Sequence, residues 1–119
     1  AAAQLLQPLL DTPATRAEAH YRLGLIAQKR GQSHPALEHI ERAVQSNPNW
    51  VAALENLANL RCERGEWEAA LALYRRVVLL DPQRASAFNN LAGPLKALGR
   101  LPEAIHACQE AVRLAPSYG

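Results

Sequence analysis

The sequence is poor in aromatic residues, at 5% of the chain, so its packing falls largely to Ala and Leu. Both lose little freedom on entering a helix, and a helical chain is expected. Cysteines are scarce too. The two present, Cys62 and Cys108, lie on different expected helices without metal-type spacing, which excludes a disulfide framework or a zinc module. The same scarcity favours a reducing compartment such as the cytoplasm. No apolar run reaches the roughly 18 residues of a membrane span, so no membrane insertion is expected. A basic leader is missing from Ala1 to Leu10, so a periplasmic location would need a signal peptide outside this stretch. Charge blocks are also absent. The 13 basic and 11 acidic residues leave a net charge of +2, and the arginines are dispersed. They read as a solvated surface, and no nucleic-acid partner is expected. What remains, 49% hydrophobic and 20% charged over 119 residues, is the composition of one folded domain or a short repeat array.

What the sequence does contain is a period. Pro48, Pro82 and Pro116 are 34 residues apart, as are Gly31, Gly65 and Gly99 and then Leu23, Leu57 and Leu91. Three further tracks keep step: Gly24, Ala58, Ala92; Ala36, Ala70, Ala104; and Ala43, Val77, Ala111. Shared periodicity on this scale marks a repeat array. The units are 17–50, 51–84 and 85–118, with 1–16 as the second half of an earlier unit, and the whole is expected to be a fragment of a longer protein.

Each unit reads as two helices around its glycine. Phe88, Leu91, Ala92 and Leu95 form one apolar stripe, and Ala70, Tyr74, Val77 and Val78 form another. The glycine accepts the left-handed backbone that ends a helix, and the proline stops the second helix. Ser33 is expected to cap a helix before Pro35, with Pro102 in an early turn of the last helix. Seven helices are expected, near 2–11, 15–30, 34–46, 50–64, 67–80, 84–98 and 101–114, with Pro8 interrupting the first. Small residues at Gly24/Ala36, Ala58/Ala70 and Ala92/Ala104 let the two helices of a hairpin approach closely. Leu23, Leu57 and Leu91 are assigned to the core.

The run Leu57-Ala58-Asn59-Leu60, followed by Gly65-Glu66-Trp67, Ala70-Leu71, Tyr74 and Leu80-Asp81-Pro82, resembles a tetratricopeptide repeat. The resemblance covers 17–118 fully and 1–16 in part. It implies an all-α fold, an α-α superhelix (solenoid) of stacked antiparallel hairpins whose first helices line a concave groove. Such grooves bind extended peptides or a partner's helix. The sequence departs from the family where Ala27, Arg61 and Leu95 replace a late aromatic. It departs again at Pro94, inside a first helix where Ile26 and Leu60 stand in the other units. A variant of the family grips a C-terminal carboxylate with Lys, Asn and Arg. The matching positions here are Tyr21, Leu25, Asn56, Ser86 and Asn90, of which only Asn56 fits, and a clamp without cations cannot neutralise a carboxylate. Residues 85–114 are also similar to arrays that precede glycosyltransferase domains in large bacterial proteins.

Catalytic chemistry finds no footing. His20, His34, His39 and His106 form no ligand set, and His20 aligns with Leu54 and Phe88 as a packed residue. No nucleophile elbow or phosphate-binding glycine loop occurs. Cys108 aligns with Ile40 and Tyr74 and reads as a small buried hydrophobe, and Cys62 as a spacer whose thiolate Glu63 disfavours. No enzyme activity, metal or cofactor is expected.

The expected activity is that of a scaffold that holds a protein or peptide along its groove. The groove residues are Glu18, Tyr21, Leu25 and Gln28 in the first unit and Glu55, Asn56, Asn59 and Cys62 in the second. The third contributes Ser86, Asn89, Asn90 and Lys96. Tyr21 and Leu25 would be an apolar anchor, the asparagines would hold an extended backbone, and the glutamates would favour a mildly positive ligand. The alternative is a substrate-presenting array of a larger enzyme such as a bacterial glycosyltransferase. Self-association is expected through the last helix, where Ile105, Val112, Leu101 and Leu114 would show apolar surface.

Overall fold

The computed structural model of the chain describes residues 13–115. Among them are six helices and no strand: α1 (Pro13–Lys29), α2 (Ser33–Ser46), α3 (Val51–Glu63), α4 (Trp67–Leu80), α5 (Ala85–Ala97) and α6 (Leu101–Leu114). Every boundary lies within two residues of its expected place. The expected helix at 2–11 and most of the partial repeat at 1–16 lie outside the described residues, as does Pro116.

The stops follow from backbone chemistry. Gly31, Gly65 and Gly99 have φ of 73°, 73° and 77°, a region open to glycine at no steric cost. Each closes a two-bond cap. In the first, Gly31 N–H donates to Gln28 C=O at 3.1 Å and Gln32 N–H to Ala27 C=O at 2.9 Å. The same pair recurs at Gly65/Glu66 and Gly99/Arg100, satisfying carbonyls that a helix end leaves open. The second helices end two residues before each proline. Asn47, Asp81 and Ala115 share φ near −140° (−141°, −139°, −143°), out of the helical region that a following proline ring disfavours. The starts differ from expectation at one point. The N-cap of α2 is Gln32, with no side-chain cap, and Ser33 is already helical. Pro102 does sit at the start of α6.

The described residues divide into two compact units between Ala53 and Leu54. In the first, α1 packs on α2 where Gly24 meets Ile40. A Cβ on Gly24 would lie 2.6 Å from Ile40 Cδ1 and 2.7 Å from Cγ1, so the missing side chain is what allows the approach. In the second, Ala58, Ala70, Leu71, Tyr74, Leu91, Leu95, Ala104 and Ala107 form one buried cluster, with Phe88, Ala92 and Val78 packed against it. Tyr74 is among its largest fully buried side chains. Pro94 is buried inside α5.

Two core assignments are corrected. Leu57 and Leu91 are buried at 6%, but Leu23 is 47% exposed. The α4 cluster covers Leu91, whereas no described helix precedes α1 to cover Leu23. Cys108 is exposed, not buried. Its counterpart Tyr74 is covered by α5, and among the described residues nothing follows α6 to do the same.

Candidate functional site

In the first unit, Glu18, Tyr21 and Leu25 lie at successive turns of α1 and face one pocket of about 480 Å³, completed by Arg22, Asn47 and Trp50. Tyr21 and Trp50 pack ring against ring, with centroids 4.5 Å apart and planes tilted by 47°. This places a rigid aromatic wall beside Leu25. Glu18 accepts from Arg22 at 2.7 Å, one turn along the helix. Gln28 is half-buried and stands outside this pocket.

In the second unit the expected residues sort into two networks. Glu55, whose side chain is only 13% exposed, accepts from Arg84 at 3.0 and 3.2 Å and from Ser86 Oγ at 3.1 Å. Bidentate pairing of this kind fixes both planes. One turn on, the buried Tyr74 hydroxyl donates to Asn59 Oδ1, and the Cys62 thiol donates to the Tyr74 oxygen at 3.9 Å. Burial, and then Cys62, raise the Tyr74 pKa, so the hydroxyl keeps its proton and its role as donor. Burial also raises Cys62, with Glu63 adding to it, and the thiol is not an activated nucleophile. Asn56 and Asn90 are half-buried and Asn89 exposed. Lys96 lies apart from these residues, on the rim of an apolar groove between α5 and α6.

Sequence reasoning missed Trp50, Arg84 and Tyr74 as site residues, and it missed the pairing of His20 with His39. The first two had a visible signal. Trp50 and Arg84 are 34 apart and each directly precedes a first helix, as Tyr21 and Glu55 are 34 apart within one. The Tyr21–Trp50 and Glu55–Arg84 contacts are thus the same contact one period on. The histidine pair had no comparable signal, since its members sit 19 residues apart on facing helices. Their Nδ1 atoms are 3.1 Å apart with ring centroids 5.4 Å apart, a hydrogen-bond distance for the tautomer in which one of the two carries its proton on Nδ1. Among the described residues, no three His, Cys, Asp or Glu side chains come together as a metal cage. No described helix is long and apolar enough to cross a membrane.

Comparison with known proteins gives the context. An inactive TPR repeat-containing thioredoxin of Arabidopsis thaliana is 45% identical over 65 residues, which is 55% of this chain and 9% of that protein. The photosystem I assembly protein Ycf3 of a Synechococcus species is 33% identical over 106 residues, 85% of this chain and 61% of that one. The chain therefore spans less than two thirds of either relative. Among solved structures, an O-GlcNAc transferase of Thermobaculum terrenum aligns with a TM-score of 0.81 at 32% identity, over 89% of this chain and 20% of that chain. YrrB, described as a TPR protein with an unusual peptide-binding site, aligns at 0.81 with 25% identity, over 86% of this chain and 53% of its own. The tetratricopeptide repeat family model matches residues 21–78 and 56–119, almost the full described length. The chain, an all-α array of helical hairpins, belongs to the tetratricopeptide repeat family.

Proposed function

We propose that the chain is a non-catalytic interaction module that holds an extended segment of a partner protein against its first helices. The observation that carries this reading is the Tyr21–Leu25–Trp50 pocket, a recess with a packed aromatic wall and a polar margin of Glu18, Arg22 and Asn47. Rigid aromatics contribute large contact area at small entropic cost, which makes them binding anchors. In the second unit, Tyr74 holds Asn59 by its oxygen, so the amide nitrogen is the group of Asn59 that would donate to a peptide carbonyl. YrrB, with its peptide-binding site, lends support by kinship.

The ligand's charge reads differently from the sequence-based expectation. Glu18 pairs with Arg22 and Glu55 with Arg84, so neither glutamate is left to demand a cation. Recognition rests on an apolar side chain and backbone amides, and salt weakens it little. The arginines speak against a nucleic acid. Arg22, Arg61, Arg75, Arg84, Arg100 and Arg113 all meet carboxylates.

The test is selection of peptides from a displayed random library, followed by binding to Tyr21→Ala/Asn59→Ala and to Arg75→Glu. The double change is expected to abolish binding and Arg75→Glu to leave it intact, and the reverse result sinks the reading. A second reading has one specific support, the O-GlcNAc transferase whose matching segment is 20% of its length. On that reading the same residues present substrates to a catalytic domain elsewhere in the full protein. A gene in which a glycosyltransferase domain adjoins these repeats would favour it.

A further inference from the structure

Within the second unit, one repeat position changes sharply in size. Ala107 on α6 stands one period after Leu73 on α4. Beside the shorter side chain lies a recess of about 330 Å³, walled by α4, α5 and α6. Phe88, Leu91 and Leu95 of α5 line it together with Pro102 and Ala107 of α6. Leu91 and Leu95 are 6% and 3% exposed and belong to the buried cluster, so the core fixes this floor before any ligand arrives.

The rim is polar, and its charge is uneven. Arg75 of α4 stands there with Glu103 and His106 of α6. Glu103 is already engaged, since it accepts from Arg100 at 2.8 and 3.1 Å. Arg75 reaches the same carboxylate by a single contact of 3.3 Å. The hydrogen bond from Arg100 is accordingly the main cause that lowers the Glu103 pKa, and the one from Arg75 the least. One carboxylate thus meets two guanidinium groups, which leaves positive charge in excess. The remaining N–H donors of the Arg75 fork are open to a ligand, and the His106 imidazole adds a donor beside them.

We propose that this recess is a second docking surface, for a partner segment that carries an aliphatic side chain flanked by a carboxylate. The aliphatic group rests on Leu91 and Leu95 against the Phe88 ring. The carboxylate takes the open side of the Arg75 fork, in the planar pairing that guanidinium groups favour. The occupant is acidic because the excess charge at the rim is positive, and aliphatic because the floor is. Rim charge orients the encounter and selects the partner, while the apolar floor retains it. The recess shares no residue with the Tyr21–Trp50 pocket, and its ligand is acidic where that pocket's is neutral. The two readings therefore stand or fall separately.

The experiment is an NMR titration of the 119-residue chain with a capped synthetic peptide in which leucine lies between aspartates, and with its asparagine counterpart. The aspartate peptide is expected to shift the amide signals of Phe88, Leu95 and Ala107 saturably. The asparagine peptide should bind about tenfold more weakly. Arg75→Gln should weaken the aspartate peptide by about the same factor and erase the preference between the two. Ala107→Leu fills the recess with the residue that the repeat itself uses one period earlier, and should remove binding with helicity unchanged. If Ala107→Leu does not fold, Arg75→Gln, at an exposed side chain, carries the test. Tyr21→Ala should bind both peptides as the wild type does. Absence of a saturable shift overturns the proposal, as do equal affinities for the two peptides. Binding that survives Ala107→Leu in a folded chain, or that is lost in Tyr21→Ala, places the peptide elsewhere and overturns it too.

Discussion

Tyr21–Trp50 and Glu55–Arg84 occupy the same two repeat positions and do opposite chemistry. The first is an aromatic contact at 4.5 Å between centroids, the second a bidentate ion pair at 3.0 and 3.2 Å. Hairpin geometry is set by other residues, namely the glycine caps, the prolines and the small residues between helices, and these barely vary along the chain. A pair of positions freed from that duty can change from apolar to charged without disturbing the fold. The first unit thereby presents a packed aromatic pair, while the second presents a fixed ion pair.

The contrast can be broken most forcefully from beneath. Tyr74 supports the polar side by holding Asn59 and filling the core. Tyr74→Ala is expected to cost about 3–5 kcal/mol, as large-to-small core changes do. Tyr74→Phe, which keeps the ring and loses the bond to Asn59, should cost about 1 kcal/mol. Equal losses in urea unfolding for the two variants would mean that packing carries none of the difference.

The two units should also answer a glycine test with opposite signs. Gly24→Ala in the first unit drives a methyl into Ile40, and a destabilisation of about 1–3 kcal/mol is expected. Gly93→Ala in the second meets open space inside α5, where alanine is the better helix former by up to about 1 kcal/mol. Thermal melts should fall for the first and rise for the second. A rise for Gly24→Ala would show that the α1–α2 approach has slack the structure does not display.

Much of this was legible in advance because the repeat prints its rules many times over. Gly31, Gly65 and Gly99 each need a left-handed backbone, and a 34-residue recurrence of the residue that accepts it is hard to misread. The site was less legible. Tyr21, Leu25, Glu55 and Asn59 could be placed on a face by helical spacing, but what each one touches depends on residues from the next helix. Spacing within a helix carries no record of Arg84 reaching back to Glu55, or of Tyr74 reaching Asn59. Burial at Leu23 and Cys108 was misjudged for a related reason. A repeat position encodes an apolar face, and only the neighbouring helix determines whether that face is covered.

A smaller effect separates the pairs by their response to salt. Arg84→Ala should cost about 1 kcal/mol at low salt, since Glu55 is mostly shielded and loses its bidentate partner. The cost should shrink as salt rises, while Trp50→Ala should show no such dependence. Parallel salt profiles would erase the distinction between the two contacts.

The smallest expected effect is one of pH, and it belongs to the first unit. Burial lowers the His20 pKa from 6.5, with His39, Arg42 and Arg16 acting in the same direction. A base with a lowered folded value binds its proton more readily when unfolded. Its contribution is therefore complete above 6.5 and is lost as pH falls through the folded value. The melting temperature should drop modestly between about pH 8 and about pH 5, and less so in His20→Gln. Identical profiles would remove the histidine pair from the account.

The central claim is that the aromatic wall at Tyr21 and Trp50 receives the partner, and Trp50 can report on it. Replacing Trp67 by Phe leaves Trp50 as the sole tryptophan of the chain. A library-selected peptide titrated into that variant is predicted to shift Trp50 emission saturably, with the same midpoint as binding measured by calorimetry, and to lose both signals in Tyr21→Ala. Saturable binding by calorimetry that leaves Trp50 emission unmoved and survives Tyr21→Ala would contradict the account.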